Sequence, residues 1–172
     1  MLVQNSWAIV RSLSSKSRVF GFTFIEIMVV MVILAIAAVI AVPMMSSAGS
    51  MQIRSAANVI AADLEYAKSM AISRGQNFSV VFNDSTESYQ IEDYNDVVIA
   101  HPVKKGFDYI VDFRNGRLDK VDIVDVDFNS TSRVEFDFLG SPDNGGVITL
   151  EASGTTMTVT VEAVTGFILI SD

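Results

Sequence analysis

The sequence predicts an α+β fold, in which a long N-terminal α-helix leads into a C-terminal antiparallel β-sheet domain. Residues 27–42 carry no polar side chain, which is typical of a helix that spans a membrane. Residues 51–74 carry apolar side chains at helical spacing, and from residue 78 onward short β-prone runs alternate with turn sequences. These changes of pattern divide the chain after residues 21, 45 and 75.

The first segment, residues 1–21, is a basic leader. It contains Arg11, Lys16 and Arg18 and no acidic residue, and the positive-inside bias places it in the cytoplasm. The whole chain of 172 residues has a net charge of −8, and removing the leader leaves 9 basic against 20 acidic side chains, a balance of −11. So acidic a protein repels phosphate backbones, which argues against nucleic acid as a partner. The chain has no cysteine, so disulfides and thiol metal sites are excluded.

The second segment, residues 22–45, is a predicted transmembrane helix. Its length as a helix is about 36 Å, and the hydrocarbon core of a bilayer is about 30 Å thick. Pro43 lacks a backbone donor and is predicted to kink this helix. The competing interpretation is an ordinary secretory signal that is cut after Ser46-Ser47-Ala48. The apolar run is longer than the roughly 7–15 residues of a secretory h-region, which favours the membrane helix.

A single carboxylate, Glu26, lies at the start of the apolar run. An ionisable group at the centre of a membrane helix costs roughly 2.5 kcal/mol or more, so such a residue is a candidate functional residue. At the level of the lipid headgroups the cost would be small, and an interfacial position without a function is the alternative.

Residues 46–75 are predicted to form an amphipathic helix. Glu65 and Lys68 are three positions apart and can pair, and Gly75 suits a C-terminal cap. The apolar stripe that should pack on the β domain consists of Ile53, Ala57, Ile60, Leu64, Ala67 and Ala71.

Residues 76–172 are predicted to form the antiparallel β domain. An Asn-Gly pair at residues 115–116 predicts a hairpin, and a change of alternation between Ile123 and Val124 predicts a bulge. The predicted strands are residues 78–82, 89–92, 97–100, 107–113, 121–128, 133–138, 147–150, 157–161 and 167–170. The predicted core includes Val134, Phe136, Phe138, Val159 and Val161.

The sequence predicts no enzyme. His101 is the only histidine and precedes a proline, which is typical of a loop position. No phosphate-binding loop and no Ser-His-Asp set can be assembled, so we expect no catalytic residue, no cofactor and no small-molecule substrate. The acids of residues 119–127 lack the spacing of a calcium loop, which favours a solvated acidic strand over a metal site.

The junction between leader and apolar helix reads Gly21-Phe22-Thr23-Phe24-Ile25-Glu26. This junction resembles the processing site of type IV pilins and type II secretion pseudopilins. The resemblance implies that a prepilin peptidase cuts between Gly21 and Phe22, that Phe22 is then N-methylated, and that Glu26 serves assembly. It also implies that the helix near Pro43 can melt during assembly.

Three further segments resemble the GspH/FimT branch of that family, which contains H-type pseudopilins and FimT-like minor pilins. They are residues 64–74, 136–140 and 165–168, with Lys68 where members often carry arginine. The resemblance implies a pilin-like fold and a minor pseudopilin of a type II secretion pseudopilus, which helps export folded proteins across the outer membrane.

The resemblance also implies a location and a set of partners. The chain would cross the bacterial inner membrane once, with its C-terminal domain in the periplasm. Its partners would be other pseudopilins or pilins, the prepilin peptidase and the membrane itself. Two alternatives stay open. One is a FimT-like minor pilin of a type IV pilus, for which the balance of −11 argues against a role in DNA uptake. The other is a membrane-anchored periplasmic binding module.

Overall fold

The computed structural model describes residues 23–172, apart from the side chains of residues 39–48. The leader, residues 1–21, and Phe22 lie outside the described residues. One helix precedes eight strands, with a short 3₁₀ turn at Asp84–Thr86. The elements are α1 Phe24–Arg74, β1 Phe78–Asn83, β2 Ser88–Glu92, β3 Ile110–Asp112, β4 Asp122–Asp127, β5 Arg133–Phe136, β6 Gly146–Ala152, β7 Thr155–Val161 and β8 Ile168–Ser171.

The chain divides into two compact units, of which the first ends at Ile40 and the second covers Ala41–Asp172. In the first unit, α1 presents an apolar surface of large exposed side chains from Phe24 to Ile36. No helix in the described part of the chain is both long and apolar enough to cross a membrane. The predicted span of residues 22–45 includes Phe22 and side chains beyond residue 38 that lie outside the description, so it stays a prediction.

The secondary structure of α1 is helical throughout, including Pro43 and the small residues 46–50 that follow it. The kink at Pro43 stays a prediction. Gly49 is buried against the turn between β6 and β7, where a Cβ atom on residue 49 would overlap Ser153. A glycine therefore lets the helix backbone approach this turn closely.

The amphipathic stripe predicted from the sequence is confirmed. All six of its residues are fully buried, and Ala56 joins them. The helix ends at Arg74, and Gly75 follows with a φ of +64°, the left-handed conformation that glycine adopts without strain. The Gln76 amide then donates to the Ala71 carbonyl at 3.2 Å, which closes the last turn.

Two antiparallel four-stranded sheets make up the β domain. The first sheet has the order β3-β2-β1-β5 and the second has the order β4-β6-β7-β8. The predicted bulge is confirmed, because the register of β4 against β6 shifts between Ile123 and Asp125. The buried stripe of α1 and residues from both sheets form one hydrophobic core.

Several strand predictions were wrong. Residues 97–100 form no strand and make only single bridges at Val98 and Ala100, and the predicted strand 107–113 shortens to Ile110–Asp112. The Asn-Gly pair makes no hairpin, because β3 pairs with β2 whereas β4 pairs with β6 of the other sheet. Phe138 is not in the core, since β5 ends at Phe136 and the Phe138 side chain is 56 % exposed.

Candidate functional site

The described chain begins with a cap at the start of α1. The Thr23 hydroxyl accepts a hydrogen bond from the Glu26 amide at 3.3 Å, and the Thr23 carbonyl accepts one from Ile27 at 3.2 Å. Thr23 is therefore the N-cap residue, and Glu26 occupies the third helical position of a Thr-x-x-Glu capping sequence. The Glu26 side chain is exposed in the first helical turn, where the helix dipole favours a negative charge.

The apolar surface around Glu26 continues along the helix. Phe24 is 82 % exposed and Met31 is 65 % exposed, and the large apolar side chains between them are exposed as well. Exposed apolar surface on this scale marks a membrane or protein interaction site. Glu26 is the only charged residue of α1 before Arg54. Gly21 and Phe22, the predicted cleavage and methylation sites, lie outside the described residues.

The three segments that resemble the GspH/FimT branch meet at Lys68. The Lys68 ammonium donates to the Gly166 carbonyl at 3.0 Å and to Glu65 at 3.1 Å, so the predicted helix pair is confirmed. Lys68 and Ile72 lie against Gly140 of the turn that follows β5. The hydrogen bond from Lys68 to Gly166 thus connects α1 to the turn before β8.

Both glycines at this junction have conformations that favour glycine. Gly140 has a φ of +86° and Gly166 a φ of +58°. A Cβ atom on Gly140 would lie 2.8 Å from Ile72 Cδ1, and one on Gly166 would lie 2.8 Å from the Gly140 carbonyl oxygen. These two glycines, which lie in the segments that resemble the GspH/FimT branch, therefore allow the two turns to pack closely on the helix.

A second polar contact, which sequence reasoning missed, joins α1 to the first sheet. The Asp63 carboxylate accepts hydrogen bonds from the hydroxyls of Tyr89 at 2.5 Å and Tyr109 at 2.8 Å. Burial and the neighbouring Asp63 carboxylate raise the pKa of both phenols well above their usual value. The Tyr109 ring also stacks on Tyr66 with 5.5 Å between ring centroids. No spacing in the sequence links these residues, because their contact depends on how β2 packs on the helix.

A cluster around Arg133 holds the loop that follows β2. Arg133 pairs with Asp96 at 2.7 Å and with Glu135 at 3.0 Å, and it lies 3.8 Å from the buried Glu92. Burial lowers the pKa of Arg133, but the partners Asp96 and Glu135 outweigh that effect and raise it. Further along the loop, the His101 ring stacks on Tyr109 at 4.7 Å, which confirms the loop position predicted for this histidine.

Within residues 23–172, no three histidine or acidic side chains converge to hold a metal ion. The polar clusters described above tie elements together, and each contains its own counter-charges or hydrogen-bond partners. These contacts hold the elements of residues 51–172, which we call the head, in fixed positions.

A long helix whose second half is buried against antiparallel sheets, and whose first half exposes an apolar surface, defines the pilin-like class of proteins. The family model described as Type II transport protein GspH matches residues 56–165, and the Prokaryotic N-terminal methylation motif matches residues 16–42. The chain belongs to the GspH family of type II transport proteins, and the resemblance to pseudopilins of the GspH/FimT branch is confirmed.

Solved structures provide a separate comparison, and the two with TM-scores of at least 0.50 share the fold of this chain. Two structures of the minor pseudopilin EpsH of Vibrio cholerae are each 12 % identical to this chain. They match 69 % of it and 94 % or 92 % of their own length, with TM-scores of 0.50 and 0.53. The type IV minor pilin FimU of Pseudomonas aeruginosa is 19 % identical over 69 % of this chain and 92 % of its own, with a TM-score of 0.49. No curated protein sequence matched the chain.

Proposed function

We propose that this pseudopilin is a minor subunit of a type II secretion pseudopilus and that it assembles through its N-terminal helix. Prepilin peptidase cuts between Gly21 and Phe22, and the new N-terminus is methylated. Residues 22–45 hold the chain in the inner membrane, with the head in the periplasm. The observation that carries this proposal is the order of parts, because a methylation motif at residues 16–42 includes the exposed apolar start of the helix and is followed by a match to GspH at residues 56–165.

The cap at Thr23 defines the position of Glu26 in the helix, and we propose that this position is used in assembly. Because Thr23 satisfies the Glu26 amide, the helix starts at Phe24 and the carboxylate lies in its first turn. In the proposed mature chain the Phe22 amine carries a positive charge. An unpaired carboxylate in apolar surroundings is costly, so an amine of the same or a neighbouring subunit stabilises it. The charge pair fixes the depth of each incoming helix, and the apolar faces supply contact area.

The processing step is tested by substitution at the cleavage site. Gly21→Leu should abolish cleavage, because a side chain at this residue obstructs the scissile bond, whereas Gly21→Ala should retain part of it. The measurement is the mass of the mature N-terminus from purified membranes, which should show a methylated Phe22 in the unsubstituted chain. A Gly21→Leu chain that is processed normally, or a mature chain that begins at Gly49, would contradict the site.

The assembly step is tested at Glu26. Glu26→Ala should leave cleavage and membrane insertion intact, because the helix becomes more apolar, but it should lower co-purification with partner pseudopilins. Glu26→Asp should be partly defective, since its carboxylate is one methylene shorter. Equal co-purification of the unsubstituted chain and Glu26→Ala would mean that Glu26 is only an interfacial residue, and would favour the membrane-anchored binding module.

The type IV pilus alternative predicts a different phenotype when the protein is deleted from the cell. Deletion of a pseudopilin should stop the export of folded enzymes and leave pili intact, whereas deletion of a FimT-like minor pilin should lower the number of surface pili. The acidic balance of −11 in the mature chain continues to argue against DNA uptake.

A further inference from the structure

Four large apolar side chains, each more than half exposed, lie where two turns pack on the end of α1. They come from three parts of the head, namely the helix, the turn after β5 and the turn before β8. We call them the junction patch, and they are Ile72, Phe138, Leu139 and Phe167. Single exposed apolar side chains are common on proteins, whereas a group that several elements bring together marks an interaction site.

Close backbone contacts bring the four residues of the junction patch together. Ile72 lies against Gly140, which follows Leu139 in the chain. Gly166, which precedes Phe167, is packed against the Gly140 carbonyl. Because the two turns touch each other and one of them touches Ile72, their exposed apolar residues share one small area of the head.

Hydrogen bonds hold both turns in one conformation. The Asp137 carboxylate accepts hydrogen bonds from the amides of Leu139 at 2.9 Å and Ser141 at 2.8 Å. In the other turn, the Glu162 amide donates to the Phe167 carbonyl at 2.9 Å. A preorganised surface loses little entropy on binding, so its exposed side chains can contribute fully to a contact.

The area of the junction patch restricts what can bind it. Four large side chains, each more than half exposed, present on the order of 500 Å² of apolar surface. A stable contact between two free proteins needs about 800 Å² from each partner. A freely diffusing protein, such as an exported one, would therefore bind weakly here. A neighbour that another contact already holds beside the head has a much higher effective concentration, so a small patch suffices for it.

The charges around the junction patch disfavour a second copy of this chain as its occupant. Two exposed acids lie beside the two turns, and they are Asp143 and Glu162. Of the bases near the patch, Lys68 is paired with Glu65, and the Arg74 guanidinium lies over a buried phenylalanine ring. Two copies that met through the same patch would bring these acids together, and like charges repel. The fitting occupant has basic side chains around its apolar surface.

We propose that the junction patch is a docking surface and that its occupant is the head of a different pseudopilin, with apolar side chains flanked by basic ones. The contact rests on the proposed function, because assembly through the N-terminal helices holds the neighbouring head in place. In that proposal this chain is a minor subunit, so its neighbours are other pseudopilins. The helices supply most of the affinity, and the patch selects which pseudopilin becomes the neighbour.

The test uses the full-length chain in cells that make each other pseudopilin of the same system, and a second copy of this chain, with individual tags. A benzophenone amino acid replaces Leu139, and the matched control carries it in place of Val103, an exposed residue of the loop between β2 and β3. Irradiation should join residue 139 to one tagged pseudopilin at least about tenfold more than residue 103. Equal adducts from both positions, or adducts of residue 139 only with the second copy, with lipid or with an exported protein, would overturn the proposal.

Substitution within the junction patch provides the second arm. Phe138→Ser with Phe167→Ser should lower the adduct yield of residue 139 about tenfold, because two apolar side chains leave the contact. The control, Val103→Ser with Phe107→Ser, removes a similarly exposed pair elsewhere and should leave the yield unchanged. Both double variants should unfold at the same temperature as the unsubstituted chain, because the changed side chains are exposed.

A charge reversal tests the basic character of the occupant without changing the apolar patch. Glu162→Lys should lower the adduct yield of residue 139 about threefold, because it places like charges in the contact. The matched control is Glu151→Lys, which changes an exposed acid on β6 and should have no effect. A yield that neither Glu162→Lys nor the serine pair in the patch lowers would contradict the docking surface.

Co-purification of this chain with the tagged pseudopilins separates the two proposals. If they co-purify but residue 139 forms no adduct with any of them, the docking surface is wrong and assembly through the helix stands. If no pseudopilin co-purifies with the unsubstituted chain, the proposed function is contradicted, and the docking surface with it.

Discussion

Asp63 shows how one side chain can connect the helix to the sheet. Its carboxylate accepts hydrogen bonds from Tyr89 on β2 and from Tyr109 just before β3, and both rings are buried. A hydrogen bond from a phenol to a charged group contributes about 1.5–3 kcal/mol. The two phenols therefore hold the loop between β2 and β3 at a fixed place on α1.

Tyr109→Phe should lower the free energy of unfolding of the head by about 1.5–3 kcal/mol at neutral pH. The folded state raises the pKa of this phenol above the value of about 10 in the unfolded chain. Its contribution is therefore complete below pH 10 and is lost as the pH rises through the folded-state pKa. Urea unfolding at about pH 7 and pH 11 should show the difference between Tyr109→Phe and the unsubstituted chain shrinking at the higher pH. A difference that is constant with pH would contradict this account.

The buried residues of the helix can be predicted from local sequence more accurately than the residues at which strands end. The stripe of α1 depends only on helical spacing, so its six buried residues could be predicted. Phe138 continues the alternation of β5, yet the Asp137 carboxylate accepts hydrogen bonds from the amides of Leu139 and Ser141 and turns the chain. A local hydrogen bond of this kind competes with the strand pattern, and the Phe138 side chain is left exposed.

Contacts between distant elements could not be predicted. The Asn-Gly pair at residues 115–116 lies between β3 and β4, but these two strands belong to different sheets. The sequence of a turn does not by itself determine which strands pair. The three family-like segments were found in the sequence, but their meeting point at Lys68 required the fold. The resemblance to the family identified the segments that contain Lys68, Gly140 and Gly166. The packing of the two turns on the helix explains why these positions hold a lysine and two glycines.

Lys68 provides a test at the level of elements, because it joins α1 to the turn before β8. Lys68→Met keeps most of the apolar stem but removes both hydrogen bonds, and it should lower the free energy of unfolding by about 1–3 kcal/mol. Lys68→Arg should retain most of the stability, because its guanidinium can reach the same two oxygens. Thermal unfolding of the two variants provides the measurement. If Lys68→Met is as stable as Lys68→Arg, the charged contact does not hold this turn.

The head combines a helical stripe and two sheets in one core, so the second half of α1 is an integral part of the β domain. Ile53, Ile60 and Leu64 are fully buried there. The first half of the helix, in contrast, exposes its apolar side chains from Phe24 to Ile36. Folding of the head and the association that we propose for the first half of the helix therefore depend on different residues.

A fragment that begins at Met51 should consequently be soluble and folded without the preceding helix. It retains the whole stripe, whereas a matched fragment that begins at Leu64 loses Ile53 and Ile60 together with two buried alanines. Each buried isoleucine contributes roughly 1.5–3 kcal/mol, and a typical domain is stable by only about 5–15 kcal/mol. The longer fragment should unfold cooperatively on heating, and the shorter one should show no cooperative transition. Aggregation of the longer fragment, or equal stability of the two, would mean that the stripe is not part of the folded head.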